Sequence, residues 1–219
     1  MINMVTEPKT IALKNYYTAK SLGFYDIDHS NICVAENLQS LVRRKQYSSF
    51  LGVLTKLTIP LNCTIEVQEC KMEGVGSRSR LYISINGNIK DFNIWEHIKV
   101  EDSKAGAWQV YLLNTLWHSL PFFWHGQYDA RIYLYSKEDV KKIEFLHDTG
   151  IPRQELATSI QKPEVIQYGT KYFVACTYWT NWGGIVKELI EISIKDNHVV
   201  SFNEVYEWTL FPYYCNLCF

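Results

Sequence analysis

The densest group of titratable residues lies between positions 116 and 136, in LWHSLPFFWHGQYDARIYLYS. It contains His118, His125, Asp129 and Arg131, together with several aromatic rings. A histidine that titrates near neutral pH, a carboxylate that orients it and an arginine that holds an anion can perform acid–base catalysis. In this interpretation His125 is the general base or acid, Asp129 orients it and Arg131 binds the anion. The alternative is structural, because a histidine at a helix–strand junction often bonds to the backbone.

Two other segments indicate binding rather than catalysis. Trp179 and Trp182 flank a turn that contains Asn181, and exposed rings there would provide contact area for a sugar or peptide. The alternative is that one ring folds back over its own sheet. The glycine-containing loop EGVGSRSR places Arg78 and Arg80 near a predicted hairpin tip, where they could contact an acidic partner or RNA, or simply be solvated. The loop lacks the glycine spacing and the lysine of a phosphate-binding P-loop.

A C-x-x-C pattern, Cys215 and Cys218, lies near the C-terminal end of the sequence. A structural zinc site needs four ligands, and the sequence offers neither a second C-x-x-C nor a zinc-finger histidine pair. A redox pair would need a following helix, which the sequence does not indicate. We therefore expect structural cysteines in a last strand, free thiols elsewhere, and neither a metal nor a cofactor.

Composition excludes several classes of function. The 219 residues are 47% hydrophobic and 21% charged, and the formal net charge is -1. This near-neutral balance disfavours binding to nucleic acid or to an anionic membrane. The sequence shows no secretory leader and no apolar stretch of about 18 residues. It therefore predicts a cytoplasmic protein outside the membrane.

The first half of the chain predicts helices followed by an antiparallel hairpin. Apolar residues at three- and four-residue spacing predict helices from Thr10 to Leu22 and from Asn37 to Leu57. Alternating residues predict strands in NCTIEVQECKM and RLYISI, and Asn86-Gly87 predicts a tight turn after them.

The second half predicts one buried helix and then mainly strands. A broad apolar stripe follows Ser103 as far as Leu120, with Ser103 as the N-cap, and Ser136 with Asp139 forms a near capping box. The proline-containing segment 150–163 is the predicted boundary between a region 1–150 and a C-terminal β-meander, 164–219, although both could belong to one domain. The predicted strands of the meander are TKYFVACTYWT, IVKELIEISI and VVSFNEVYEWTL.

Together these patterns predict an α+β protein with a mostly antiparallel sheet, N-terminal helices, one buried central helix and a C-terminal β-meander. For function, the sequence favours a non-catalytic protein-interaction module, by analogy with bacterial immunity or accessory proteins. Its partner would be another protein, and the sequence leaves the oligomeric state open. The alternative is a small hydrolase or nuclease-like enzyme that uses His125, Asp129 and Arg131.

Overall fold

The computed structural model describes residues 7–22, 29–72, 76–116, 131–146 and 152–213. The helices in these ranges are α1 (Glu7–Ser21), α2 (His29–Arg43), α3 (Phe50–Val53), α4 (Lys104–Thr115) and α5 (Arg153–Thr158). The strands are β1 (Leu57–Thr58), β2 (Cys63–Met72), β3 (Gly76–Ile85), β4 (Ile89–Asp91), β5 (Lys99–Val100), β6 (Ile132–Tyr133), β7 (Glu164–Tyr168), β8 (Lys171–Thr180), β9 (Gly184–Lys195) and β10 (His198–Phe211). This mixture of helices and antiparallel strands confirms the predicted α+β class.

The main sheet is antiparallel and has the order β10-β9-β8, with β6 and β7 sharing the far side of β8. β7 pairs with the first half of β8, and β6 pairs with Tyr178 and Trp179 near its end. The predicted three-stranded meander is therefore confirmed as β8, β9 and β10. β7 was not predicted, because it directly follows the proline-containing segment that the sequence marks as a boundary.

Two smaller sheets complete the strand structure, β2-β3-β4 and β1-β5. The predicted turn after β3 is confirmed, since Asn86 and Gly87 both have left-handed backbones with φ of 51° and 72°. Asparagine and glycine tolerate this conformation better than other residues. The turn therefore fixes the register in which β4 returns along β3.

The prediction of one helix from Asn37 to Leu57 is wrong in its bounds. α2 begins at His29 and ends at Arg43, and α3 follows as a separate short helix. The break occurs at Lys45, whose φ is 57°; its N–H bonds back to the carbonyl of Val42, and the next N–H bonds to Leu41. This is the hydrogen-bond pattern of a Schellman C-cap, here with lysine in the left-handed position that glycine usually occupies.

α4 is the buried central helix that the sequence predicts. Nine of its twelve residues are buried, including Trp108 and Tyr111. Ser103 caps it as predicted, since its side chain accepts a hydrogen bond from Gly106 N at 3.1 Å. The predicted end of this helix, at Leu120, lies outside the described residues.

Replacing Ser103 by alanine should destabilise the protein by about 1 kcal/mol, because the N–H of Gly106 loses its acceptor at the start of a buried helix. Urea unfolding followed by circular dichroism would measure this loss. Ser103→Asp is the matched control, because aspartate is an equally good cap and should keep most of the stability. Equal losses in both variants would contradict the role of the cap.

The main sheet has helices on both faces. Tyr172, Val174 and Cys176 of β8 belong to the large core cluster that contains α4 and α2. The intervening residues of β8 face the other side, where α1 covers Phe173 and Ala175, and α5 joins the cluster around Trp179. The large cluster contains residues from both sides of segment 150–163, and β6 pairs with β8 across it. The two predicted regions therefore share a core.

Candidate functional site

Of the four residues predicted for catalysis, the structure describes only Arg131; His118, His125 and Asp129 lie outside the described residues. Arg131 is buried between α4 and the main sheet, where its Nη1 donates to the carboxylate of Glu188 and to the Tyr111 hydroxyl. Its guanidinium carbon lies 4.1 Å from the centre of the Tyr178 ring. The Arg131 charge therefore already faces a buried carboxylate, and its predicted role in binding an anion stays a prediction.

The Arg131 pair is the centre of a buried polar cluster. The Tyr111 hydroxyl donates to Glu188 and lies 2.9 Å from the Cys176 sulfur. Burial raises the pKa of the Cys176 thiol well above its ordinary value, and the nearby Glu188 carboxylate adds to this effect. Burial also raises the pKa of Glu188 itself, and the charge of Arg131 opposes this rise. A protonated, enclosed thiol is a poor nucleophile, so this arrangement favours a structural role.

The predicted tryptophan turn is only partly at the surface. Trp179 is fully buried, packs on Phe145 and Tyr213, and donates from Nε1 to Asn181 Oδ1 at 3.0 Å. Trp182 is half-buried against the same cluster. Trp179 therefore agrees with the alternative that one ring folds back over its own sheet, and Asn181 satisfies its N–H.

The two arginines predicted at a hairpin tip lie within β3 instead. In the strand register Arg78 is opposite Cys70 and Arg80 is opposite Gln68. The Arg80 side chain is exposed, and its guanidinium carbon lies 4.5 Å from the centre of the Phe92 ring. β3 begins at Gly76 and is therefore longer than the glycine-containing loop indicated. Arg80 is oriented by this strand and by its contact with the Phe92 ring.

The most exposed large aromatic side chain of the main sheet is on β10. Trp208 is 67% exposed, and its strand pairs only with β9 among the described residues. The pairing of β10 with β9 shifts register at three places along its length. Trp208 could not be identified from the sequence, because its alternating segment indicates a strand but not which face or edge is open.

A cavity of about 310 Å³ opens on the face of the sheet that α1 and α5 partly cover. Its lining includes Lys20 from the last turn of α1, Lys162 after α5, Lys187 from β9, Glu164 from β7 and Thr177 from β8. Lys20 forms an ion pair with Glu164 at 2.8 Å, and Lys187 donates to Gln161. We call this cavity the lysine pocket.

Two groups in the lysine pocket have unusual environments. Partial burial lowers the pKa of Lys187, and the nearby positive charge of Lys20 lowers it further. The carboxylate of Glu164 acts in the opposite direction. Thr177 is fully buried directly opposite Lys187, and its hydroxyl has no hydrogen-bond partner within the described part of the chain. A buried hydroxyl without a partner costs free energy. An acceptor placed between Thr177 and Lys187 would satisfy both groups.

Within the described ranges, no three His, Cys, Asp or Glu side chains lie close enough together to hold a metal ion. The cysteine pair at 215 and 218 lies outside those ranges. None of the described helices combines the length and the apolar character needed to cross a membrane. The chain matches no protein-family model, no curated protein and no solved structure.

Proposed function

We propose that this protein is a non-catalytic interaction module that binds another protein through the outer edge of β10. The observation that supports it is Trp208, a large ring that is 67% exposed on the end strand of the main sheet. Tryptophan is enriched among the residues that dominate binding energy at protein interfaces, because it buries a large area and loses few rotamers. Val200, near the other end of the same strand, is also 60% exposed.

The geometry favours addition of a strand from the partner. β10 has fourteen residues, and its side away from β9 pairs with no other described strand. Backbone N–H and C=O groups on such an edge can bind an extended peptide, and side chains at alternate positions then give specificity. The partner would supply an extended segment with an apolar side chain over Trp208.

A cytoplasmic location is part of the same proposal. Cys63 and Cys176 are buried free thiols. Free thiols are usual in a reducing compartment. No specific observation favours the hydrolase or nuclease alternative, because Arg131 is paired with Glu188 and its three predicted partners lie outside the described residues.

Trp208→Ala should weaken partner binding about tenfold or more, while the melting temperature changes little because the ring is mostly exposed. The partner is first identified with a photo-crosslinking amino acid at the exposed neighbour Thr209 and then titrated with purified protein. Leu61→Ser is the matched control, since Leu61 is fully exposed in a turn outside the main sheet.

A second crosslinking position separates a specific partner from background. Thr64 is exposed on β2, in a different sheet, and should not capture the same protein. The proposal fails if both positions capture the same proteins, or if Trp208→Ala binds the captured protein as tightly as Leu61→Ser does.

A further inference from the structure

We infer that the lysine pocket is a binding site for the phosphate group of a small phosphorylated molecule. The inference does not depend on the proposed protein-binding function, because it concerns a cavity rather than the strand edge. Its volume of about 310 Å³ is at the lower end of the range for small-molecule sites. A molecule the size of a sugar phosphate would fill it.

The charge of the pocket matches a phosphate monoester. Its three lysines and one glutamate leave an excess of two positive charges among the described lining residues. A phosphate monoester carries about −1.5 to −2 charges at pH 7. The three lysines come from α1, from the segment after α5 and from β9, so three separate elements bring positive charge to the cavity. Such an arrangement suits a tetrahedral anion with three acceptor oxygens.

Thr177 provides a second, independent reason. It lines the cavity and is fully buried, and its hydroxyl lacks a partner within the described residues. A phosphate oxygen beside Lys187 would accept from this hydroxyl and from the Lys187 ammonium. The phosphate would also favour the charged form of Lys187, whose pKa is lowered by partial burial and by the charge of Lys20.

The charge of the lining favours a phosphate monoester over a monocarboxylate. A single carboxylate would compensate only one of the two excess positive charges, whereas a phosphate monoester carries about −1.5 to −2 charges.

Calorimetric titration with ribose 5-phosphate and with inorganic phosphate tests the inference. We expect both probes to bind the wild-type protein, and ribose and citrate not to bind. Lys187→Gln should weaken binding of ribose 5-phosphate about tenfold, because a charge-assisted hydrogen bond is lost. Lys195→Gln is the matched control, because it removes an exposed lysine from the far end of the same strand and should leave binding unchanged.

Two further variants test the site if Lys187→Gln folds poorly. Lys162→Gln changes an exposed residue, and Thr177→Val preserves the shape of the side chain while removing the hydroxyl. Each should weaken binding several-fold. The melting temperature should be unchanged in Lys162→Gln and equal or higher in Thr177→Val, which removes a buried hydroxyl without a partner among the described residues. The inference is overturned if neither phosphate compound binds, if citrate or ribose binds equally well, or if Lys195→Gln loses as much affinity as the pocket variants.

Discussion

Arg131→Met should lower the free energy of unfolding by about 3–5 kcal/mol, the cost of leaving one member of a buried ion pair without its partner. Glu188 is buried in the same cluster, where its carboxylate accepts from both Arg131 and Tyr111. Methionine fills a similar volume but leaves that carboxylate without a positive partner. Equilibrium unfolding in urea, followed by tryptophan fluorescence, would measure the loss.

Two further variants isolate the ion pair from the shape of the side chain. Arg80→Met makes the same change at an exposed position of β3 and should cost about 1 kcal/mol or less, because only the contact with the Phe92 ring is lost. The double variant Arg131→Met with Glu188→Leu should recover much of the lost stability, because it removes both charges. The interpretation fails if Arg131→Met costs no more than Arg80→Met, or if the double variant is less stable than Arg131→Met alone.

Gly184→Ala should destabilise the protein by roughly 3 kcal/mol, since it combines a strained backbone with a steric clash. Gly184 has φ of +83°, and a Cβ built on it would lie 1.9 Å from the carbonyl oxygen of Phe211 and 2.7 Å from Tyr213 N. Both contacts are with backbone at the end of β10, so a side-chain rotation cannot relieve them. Thermal unfolding by calorimetry would measure the effect.

Two other glycines separate the clash from the strain. Gly169 has φ of +62° with open space around it, so Gly169→Ala should show only the backbone strain, about 1 kcal/mol. Gly52 lies inside α3 with nothing within 4 Å, so Gly52→Ala should stabilise the protein by about 0.5–1 kcal/mol. A Gly184→Ala variant as stable as Gly169→Ala would show that the chain after β10 moves away from the turn.

Features that depend on neighbouring residues could be predicted from the sequence. Ser103 caps α4, Asp139 accepts from the N–H of Ser136, and Asn86-Gly87 turns between β3 and β4. Each of these depends on the chemistry of two to four adjacent positions. The strands of the C-terminal meander follow for the same reason, because alternation and turn residues are local signals.

Features that depend on distant residues could not be predicted. Arg131 and Glu188 are 57 positions apart, and their contact depends on how β6 and β9 flank β8. The lysine pocket likewise needs α1 and the segment after α5 on one face of the sheet. The end of α2 differs from the predicted one for another reason. Apolar spacing continues past Lys45, and only the left-handed backbone at Lys45 ends the helix.

The position of α1 has a consequence for the protein during its synthesis. Its buried residues Ala12, Tyr16 and Ala19 pack on strands β7 to β10, and the Tyr16–Glu164 hydrogen bond joins positions 148 residues apart. A ribosome adds about 5–20 residues per second, so roughly 7 to 30 s separate the appearance of these two residues. Throughout that interval the apolar side of α1 lacks the strands that cover it in the folded protein.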